Sequence, residues 1–134
     1  MHPINETALI AFVFSYYHEA LKYSVRAQRF LRAIGFDDSG LVERLYLGFA
    51  DRTLGRQLPE CNSASGSAVR GALRRVGLLK PSGHEYLRGC VIFPLQDSHS
   101  NVIGGYAFNL SEYEKGRRLV PVSWVLNDPA RGAT

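Results

Sequence analysis

The spacing of apolar residues changes once along this chain, from a helical period to a strand-like one, and that switch limits the folds open to it. From Asn5 to about Tyr23, Leu9, Ile10, Val13, Phe14, Tyr17, Ala20 and Leu21 recur at three and four positions, which predicts a helix with a broad buried stripe. Ser24 can cap a second helix running through Ile34, with Val25, Phe30, Leu31 and Ile34 inward and Gly35 ending it. Asp38 or Ser39 opens a short third helix through roughly Leu45. In the middle, Asn62 to Ser67 has loop chemistry, and a helix from about Ser67 to Val76 follows, stopped by Gly77. Val69, Ala72, Leu73 and Val76 form its apolar side, and Arg70, Arg74 and Arg75 lie on the other. The last third reads as β: an apolar run Tyr86–Leu95, a polar turn Asp97–Asn101, and a return strand Val102–Asn109. After a charged loop from Glu112 to Arg118 comes a third strand, Leu119–Leu126. The order predicts an α+β fold, with N-terminal short helices followed by a small, mainly antiparallel sheet.

With 134 residues, no internal repeat and no low-complexity tract, the chain reads as a single domain over 1–134. Its helical part covers about 5–47, a basic segment 52–88, and the β part about 86–126. A hydrophobic share of 46% with 21% charged residues excludes disorder and collagen-like structure. No apolar run approaches the roughly 20 residues of a membrane span, and Met1 to Ile10 lacks a basic leader region and a cleavage site. A soluble, cytoplasmic protein is expected. Cys61 and Cys90 form no CxxC pair, so both are expected as reduced thiols, Cys90 buried.

The net charge of +4 is unevenly spread. Residues 1–51 carry five basic and six acidic side chains, and 89–134 carry four of each. The excess lies between, where Arg52, Arg56, Arg70, Arg74, Arg75, Lys80 and Arg88 face only Glu60 and Glu85. Thirteen of the 16 basic residues are arginine, the better residue for bidentate phosphate contact. A GC-rich genome also produces an arginine bias, but not its concentration in one segment, which points to a polyanionic partner.

Catalytic motifs are missing. There is no P-loop, no GxGxxG behind a strand, no GxSxG and no HExxH. His2, His18, His84 and His99 show no metal-ligand spacing with one another or with the cysteines. His18 and Glu19 read as structural residues among aromatics, and Gly83-His84-Glu85 as a polar turn entering a strand. No Asp-x-Asp pair or acidic triad is present to hold Mg²⁺.

Two segments stand out: Gly48-Phe-Ala-Asp-Arg-Thr-Leu54, and Tyr86-Leu-Arg-Gly-Cys-Val-Ile-Phe-Pro94 with Val102-Ile-Gly104 behind it. In this order, after three helices, they resemble the N-terminal subdomain of the catalytic core of bacterial DnaG-type primases. The similarity runs over roughly residues 10–110. Gly48-Phe-Ala resembles that family's Gly-Tyr/Phe-Ala-Pro turn, and Val76-Gly-Leu-Leu79 its helix exit. Arg88-Gly-Cys-Val-Ile-Phe-Pro-Leu95 resembles its Arg-Gly-Arg-Val-Met-Phe-Pro-Ile strand, Asp97 its turn and Val102-Ile-Gly104 its return strand. Arg52-Thr-Leu-Gly55 and Gly83-His-Glu85 look closer to a primase-like variant of mobile elements. Of the family's three strand arginines only Arg88 remains, the others being Tyr86 and Cys90, and the arginine ending the return strand is Phe108.

The resemblance implies a part that holds template, single-stranded DNA or an RNA–DNA primer-template, without the zinc ribbon or the metal-binding toprim module. No cofactor is then expected in this chain, Mg²⁺ being expected only with a toprim module, supplied elsewhere in a longer protein or by a replication partner. Arg88, Arg52, Arg56, Arg70, Arg74, Arg75, Lys80 and Tyr86 are the expected nucleic-acid-binding residues. Tyr86 and Tyr106 are candidate base stackers, with a core role as the alternative. Alternation places Arg88, within its strand, opposite the buried face. The rival reading is a protein-interaction module that has lost template binding and docks a partner or a second copy through its aromatic N-terminal helices. A complete small enzyme finds no support in the acidic residues.

Overall fold

Asn5 starts the first helix by accepting the Ala8 N–H on its side chain at 3.0 Å, and α1 (Glu6–Lys22) buries Ile10, Val13, Phe14, Tyr17 and Leu21. The computed structural model describes residues 4–36, 38–59 and 63–132. His2, Glu60, Cys61 and Asn62, with the expectations attached to them, lie outside the described residues. Ser24 caps α2 (Val25–Ala33), accepting from Ala27 N–H at 3.1 Å, and Asp38 caps α3 (Ser39–Arg44). Phe30 and Leu31 point inward as expected. Val25, 61% exposed, and Ile34 do not, because they stand at the ends of a nine-residue helix whose inner face is completed by Ala27.

The first strand corrects the sequence reading. Gly48–Phe49, expected as a turn, is β1, a two-residue edge strand paired with Ile92 and Val91. Gly48 is also where α1 comes closest, since a Cβ there would sit 2.9 Å from the Cβ of Tyr17. Ser63 caps α4 (Ala64–Arg75) through the Gly66 N–H at 2.9 Å, so the helix takes in residues 64–67 that read as loop. The sheet continues with β2 (Cys90–Gln96), β3 (Val102–Asn109) and β4 (Val122–Val125), all antiparallel and in chain order from one edge to the other. Between β2 and β3 the Asp97 carboxylate accepts the N–H groups of His99 and Asn101 at 2.8 and 2.9 Å. The β3 boundaries match the expectation; β2 begins four residues after Tyr86, and β4 is shorter than Leu119–Leu126. Part of the expected charged loop is α5 (Leu110–Glu114), started by Asn109, whose side chain accepts from Glu112 N–H at 2.9 Å.

Alternation along the strands buries both faces of the sheet. Cys90, Ile92, Ala107 and Trp124 pack with α1, with Leu73 of α4 and with its C-cap Val76. Val91 packs with Phe30, Leu31 and Leu110, flanked by Phe93, Phe108 and Tyr113. Trp124 ties α1, α4 and β4 together: its ring lies 5.3 Å from Phe14, and Nε1 donates to the Val76 carbonyl at 2.8 Å. At about 25 cal/mol per Å², burying a ring of roughly 200 Å² contributes on the order of 5 kcal/mol before ordering costs. Cys90 is a free thiol, and burial pushes its pKa up to about 11. His18 is buried and structural, with Nδ1 donating to the Leu47 carbonyl at 2.7 Å and Nε2 3.2 Å from Glu43. Among the described residues no helix is long and apolar enough to cross a membrane.

Candidate nucleic-acid interface

After α4 the chain doubles back in a tight strap. Lys80 N–H donates to the His84 carbonyl and Gly83 N–H to that of Lys80, both at 2.8 Å, and Tyr86 N–H to that of Leu78 at 2.9 Å. Leu79 and Glu85 form an isolated bridge inside it. Leu78, Leu79, Glu85 and Leu87 turn into the core, which leaves Lys80, His84, Tyr86 and Arg88 outside. Arg88 is therefore exposed, as alternation predicts, but it lies in a turn and not in a strand. Gly89, at φ +78°, ends the turn, donates to the Ala50 carbonyl at 2.8 Å, and only then does β2 begin.

That bond brings the segment after β1 alongside. The Asp51 carboxylate accepts the Thr53 N–H at 3.1 Å and the Thr53 hydroxyl, which also contacts the hydroxyl of Tyr16. Arg52 between them is held at φ +71°, a conformation unusual for an L side chain. Its Nη2 lies 3.3 Å from where a Cβ on Gly89 would stand.

Arg52, Arg70 and Arg88 line one recess of about 190 Å³, together with His84 and Glu85. Arg88 donates to His84 Nδ1 at 3.4 Å. Arg70, expected opposite the apolar side of α4, is not freely exposed there. It is half-buried and reaches across to donate from Nη2 to the carbonyls of Gly55 and Pro59 at 3.4 and 3.2 Å. A neighbouring groove of about 640 Å³ is lined by Arg74, Lys80, Tyr86 and Arg131, with one carboxylate, Asp128, among its lining residues. The two hollows share Leu79, and Arg74 Nη2 is 3.6 Å from the Cβ position of Gly83 on the recess. Tyr86 is fixed in the groove by donating its hydroxyl to the Ser123 carbonyl at 2.8 Å.

Two predicted residues stand apart. Arg75 is paired with Glu6 at 3.3 Å, and Arg56, exposed on the 3-10 turn Leu54–Gln57, lines neither hollow. Tyr106 is 51% exposed on the sheet and lines neither hollow. Arg131 was not legible in the sequence: it is one arginine in a Pro- and Gly-containing tail, and only the fold brings it to donate to the Val125 and Arg75 carbonyls at 3.0 and 3.3 Å.

Among the described residues, none of Arg52, Arg70, Arg74, Lys80 and Arg88 has a carboxylate within ion-pair distance. Glu85 lies at the recess but accepts the Tyr17 hydroxyl at 2.8 Å. Burial pushes its carboxyl above the ordinary range and the charge of Asp51 adds to this, against the Tyr17 hydrogen bond and the pull of Arg88 and Arg52. Burial also holds the Tyr17 hydroxyl well above its usual pKa. No group of three His, Cys, Asp or Glu side chains among the described residues is placed to hold a metal ion.

No protein-family model and no curated protein matches the chain. Solved structures do. The chain superposes on the DnaG catalytic core with a TM-score of 0.72 and 21% identity, over 92% of this chain and 39% of that one. The chain shares the DnaG-core fold. A DNA primase domain from Pseudomonas aeruginosa gives a TM-score of 0.68 and 23% identity over 90% of this chain and 38% of its own. The DnaG primase catalytic domain bound to ssDNA gives 0.62 and 23% over 78% and 35%. The chain thus spans about two fifths or less of each matched core, and the likeness is one of fold. In this fold the stretch Arg88 to Gly104 supplies β2, the start of β3 and the turn leading into β2.

Proposed function

We propose that this chain is a strand-holding, non-catalytic part of a DnaG-type primase acting in DNA replication, binding single-stranded DNA or a primer-template through its phosphodiester backbone. The observation that carries this reading is the convergence of Arg52, Arg70, Arg88, Arg74, Lys80 and Tyr86 on two adjoining hollows whose cations have no carboxylate partner among the described residues. Each phosphate neutralised there releases counterions and favours association at low salt. Tyr86, 36% exposed and anchored by its hydroxyl, offers a ring for stacking worth roughly 1–3 kcal/mol per base. The mobile-element branch is favoured by the motifs Arg52-Thr-Leu-Gly55 and Gly83-His-Glu85, residues of which border the recess. A toprim module or a second chain supplies Mg²⁺ and nucleotidyl transfer, and the whole works in the cytoplasm, away from membranes.

Fluorescence anisotropy with labelled single-stranded oligonucleotides tests this. Weak binding that falls with salt is expected, and Arg88→Ala lowers it by a similar factor for every sequence. No binding at about 50 mM salt overturns the proposal.

The rival, an interaction module, draws on one observation. Leu95, Tyr106 and Val125 share a sheet face by register and are 50%, 51% and 48% exposed. A stable dimer by light scattering, indifferent to oligonucleotide, would favour it.

A further inference from the structure

Two short motifs far apart in the sequence meet at one place. Arg52, Leu54 and Gly55 line the recess from the segment after β1, and Gly83, His84 and Glu85 line it from the strap. Arg70 crosses from α4 and Arg88 completes the set. We propose that this recess is a site for a phosphate monoester, the terminal phosphate of a strand or of a nucleotide, distinct from the groove that follows the internal diester backbone. The inference rests on the nucleic-acid reading for its choice of ligand.

Size is the first argument. At about 190 Å³ the recess is below the roughly 300 Å³ at which pockets enclose a small molecule, so a phosphoryl group enters while sugar and base stay outside. A diester inside a strand must leave room for chain on both sides, and the open groove of about 640 Å³ along Arg74 and Lys80 offers it.

Charge is the second. Three guanidinium groups around one small volume suit an anion with three terminal oxygens and close to two charges, since the planar fork donates in pairs. Among the described residues, two carboxyl groups stand near them. Asp51 is engaged by Thr53, and Glu85 accepts the Tyr17 hydroxyl while burial holds it toward its neutral form. Because Arg88 donates to His84 Nδ1, the His84 Nε2–H is left as that ring's donor.

Preorganisation is the third. Arg70 is tied at Nη2 by two carbonyls, and among the described residues its buried Nε has no partner, which leaves a desolvated donor needing an acceptor. Arg52 keeps an unfavourable backbone conformation with its guanidinium set against Gly89.

The test compares single-stranded oligonucleotides that differ only at their ends: 5′-phosphate, 3′-phosphate or hydroxyl. Nucleoside 5′-monophosphate and inorganic phosphate serve as competitors. One phosphorylated end is expected to tighten binding about tenfold, the scale of one additional charge-assisted contact. Arg52→Gln, Arg52→Gly and Arg88→Gln should each abolish that preference on top of any general loss of strand binding, whereas Arg74→Gln and Lys80→Gln should weaken all ends alike and leave the preference intact. Competition by the monophosphate without an end preference identifies a free nucleotide as the source and still supports the recess. If hydroxyl-ended strands bind, ends make no difference and neither competitor acts, this inference fails while strand binding stands. If only the monophosphate binds, strand binding fails and the recess stands.

Discussion

Arg26, Arg117 and Lys22, near α2 and α5, and Arg74, Lys80 and Arg88, of α4 and the strap, are the same residue types, yet the fold leaves them in opposite states. Arg26 holds Glu114 through two bonds of 2.8 and 2.5 Å, and Arg117 holds Glu112 at 3.2 Å. Lys22 lies between Glu43 and Glu19 at 3.0 and 3.1 Å, and those hydrogen bonds, Glu43 first, raise its pKa. On the other side Arg52, Arg88, Arg74 and Lys80 have no carboxylate at that range among the described residues, and Arg70 is held by carbonyls. Exposed pairs such as Arg26–Glu114 contribute about 0–1 kcal/mol and quench their own field, so they neither hold the fold nor attract a strand. Unpaired guanidinium groups gathered on a concave surface keep their field for a partner.

The strongest way to break this contrast is to remove what both regions stand on. Trp124→Ala should cost about 3–5 kcal/mol in urea unfolding and abolish strand binding with the fold, because α4 and β4 meet on that ring. A sharper test swaps charge and leaves the core alone. Arg74→Glu with Lys80→Glu should lower affinity at low salt by about tenfold or more and flatten the salt slope by about two. Arg26→Glu with Arg117→Glu should change binding less than about twofold; equal losses in the two pairs would erase the distinction.

Glu85→Gln probes the carboxyl beneath the recess. A carboxyl raised in the folded state stabilises the protein fully below its unfolded value, and that contribution is lost as pH rises through the folded value. Glutamine keeps an acceptor for Tyr17 and never ionises. The wild type should therefore lose stability relative to the variant as pH rises above the ordinary carboxylate range in thermal unfolding, and parallel curves would contradict the burial of that charge. The smallest effect is expected from Arg26→Ala, about 0.2–1 kcal/mol in urea unfolding and shrinking with added salt.

Helix starts were readable because caps are local. Asn5, Ser24 and Asp38 each bond an N–H two or three residues ahead, and alternation over Val102–Asn109 delimits β3. Elements of two and five residues have no period to read. β1 exists because Ala50 exchanges bonds with Gly89 and Cys90, and α5 because Asn109 finds Glu112. The site divided in the same way. Exposure at 84, 86 and 88 followed the alternation in the strap, though the left-handed Gly89 delayed the strand. That Arg70 is covered by the segment 55–59, that Arg75 meets Glu6, and that Arg131 enters the groove depended on chain returning from far away. Local propensity and the regional charge excess are carried by neighbouring residues, so the sequence alone determined them. Which charges stay unpaired was decided only when two apolar clusters closed on opposite faces of the sheet and brought distant segments side by side.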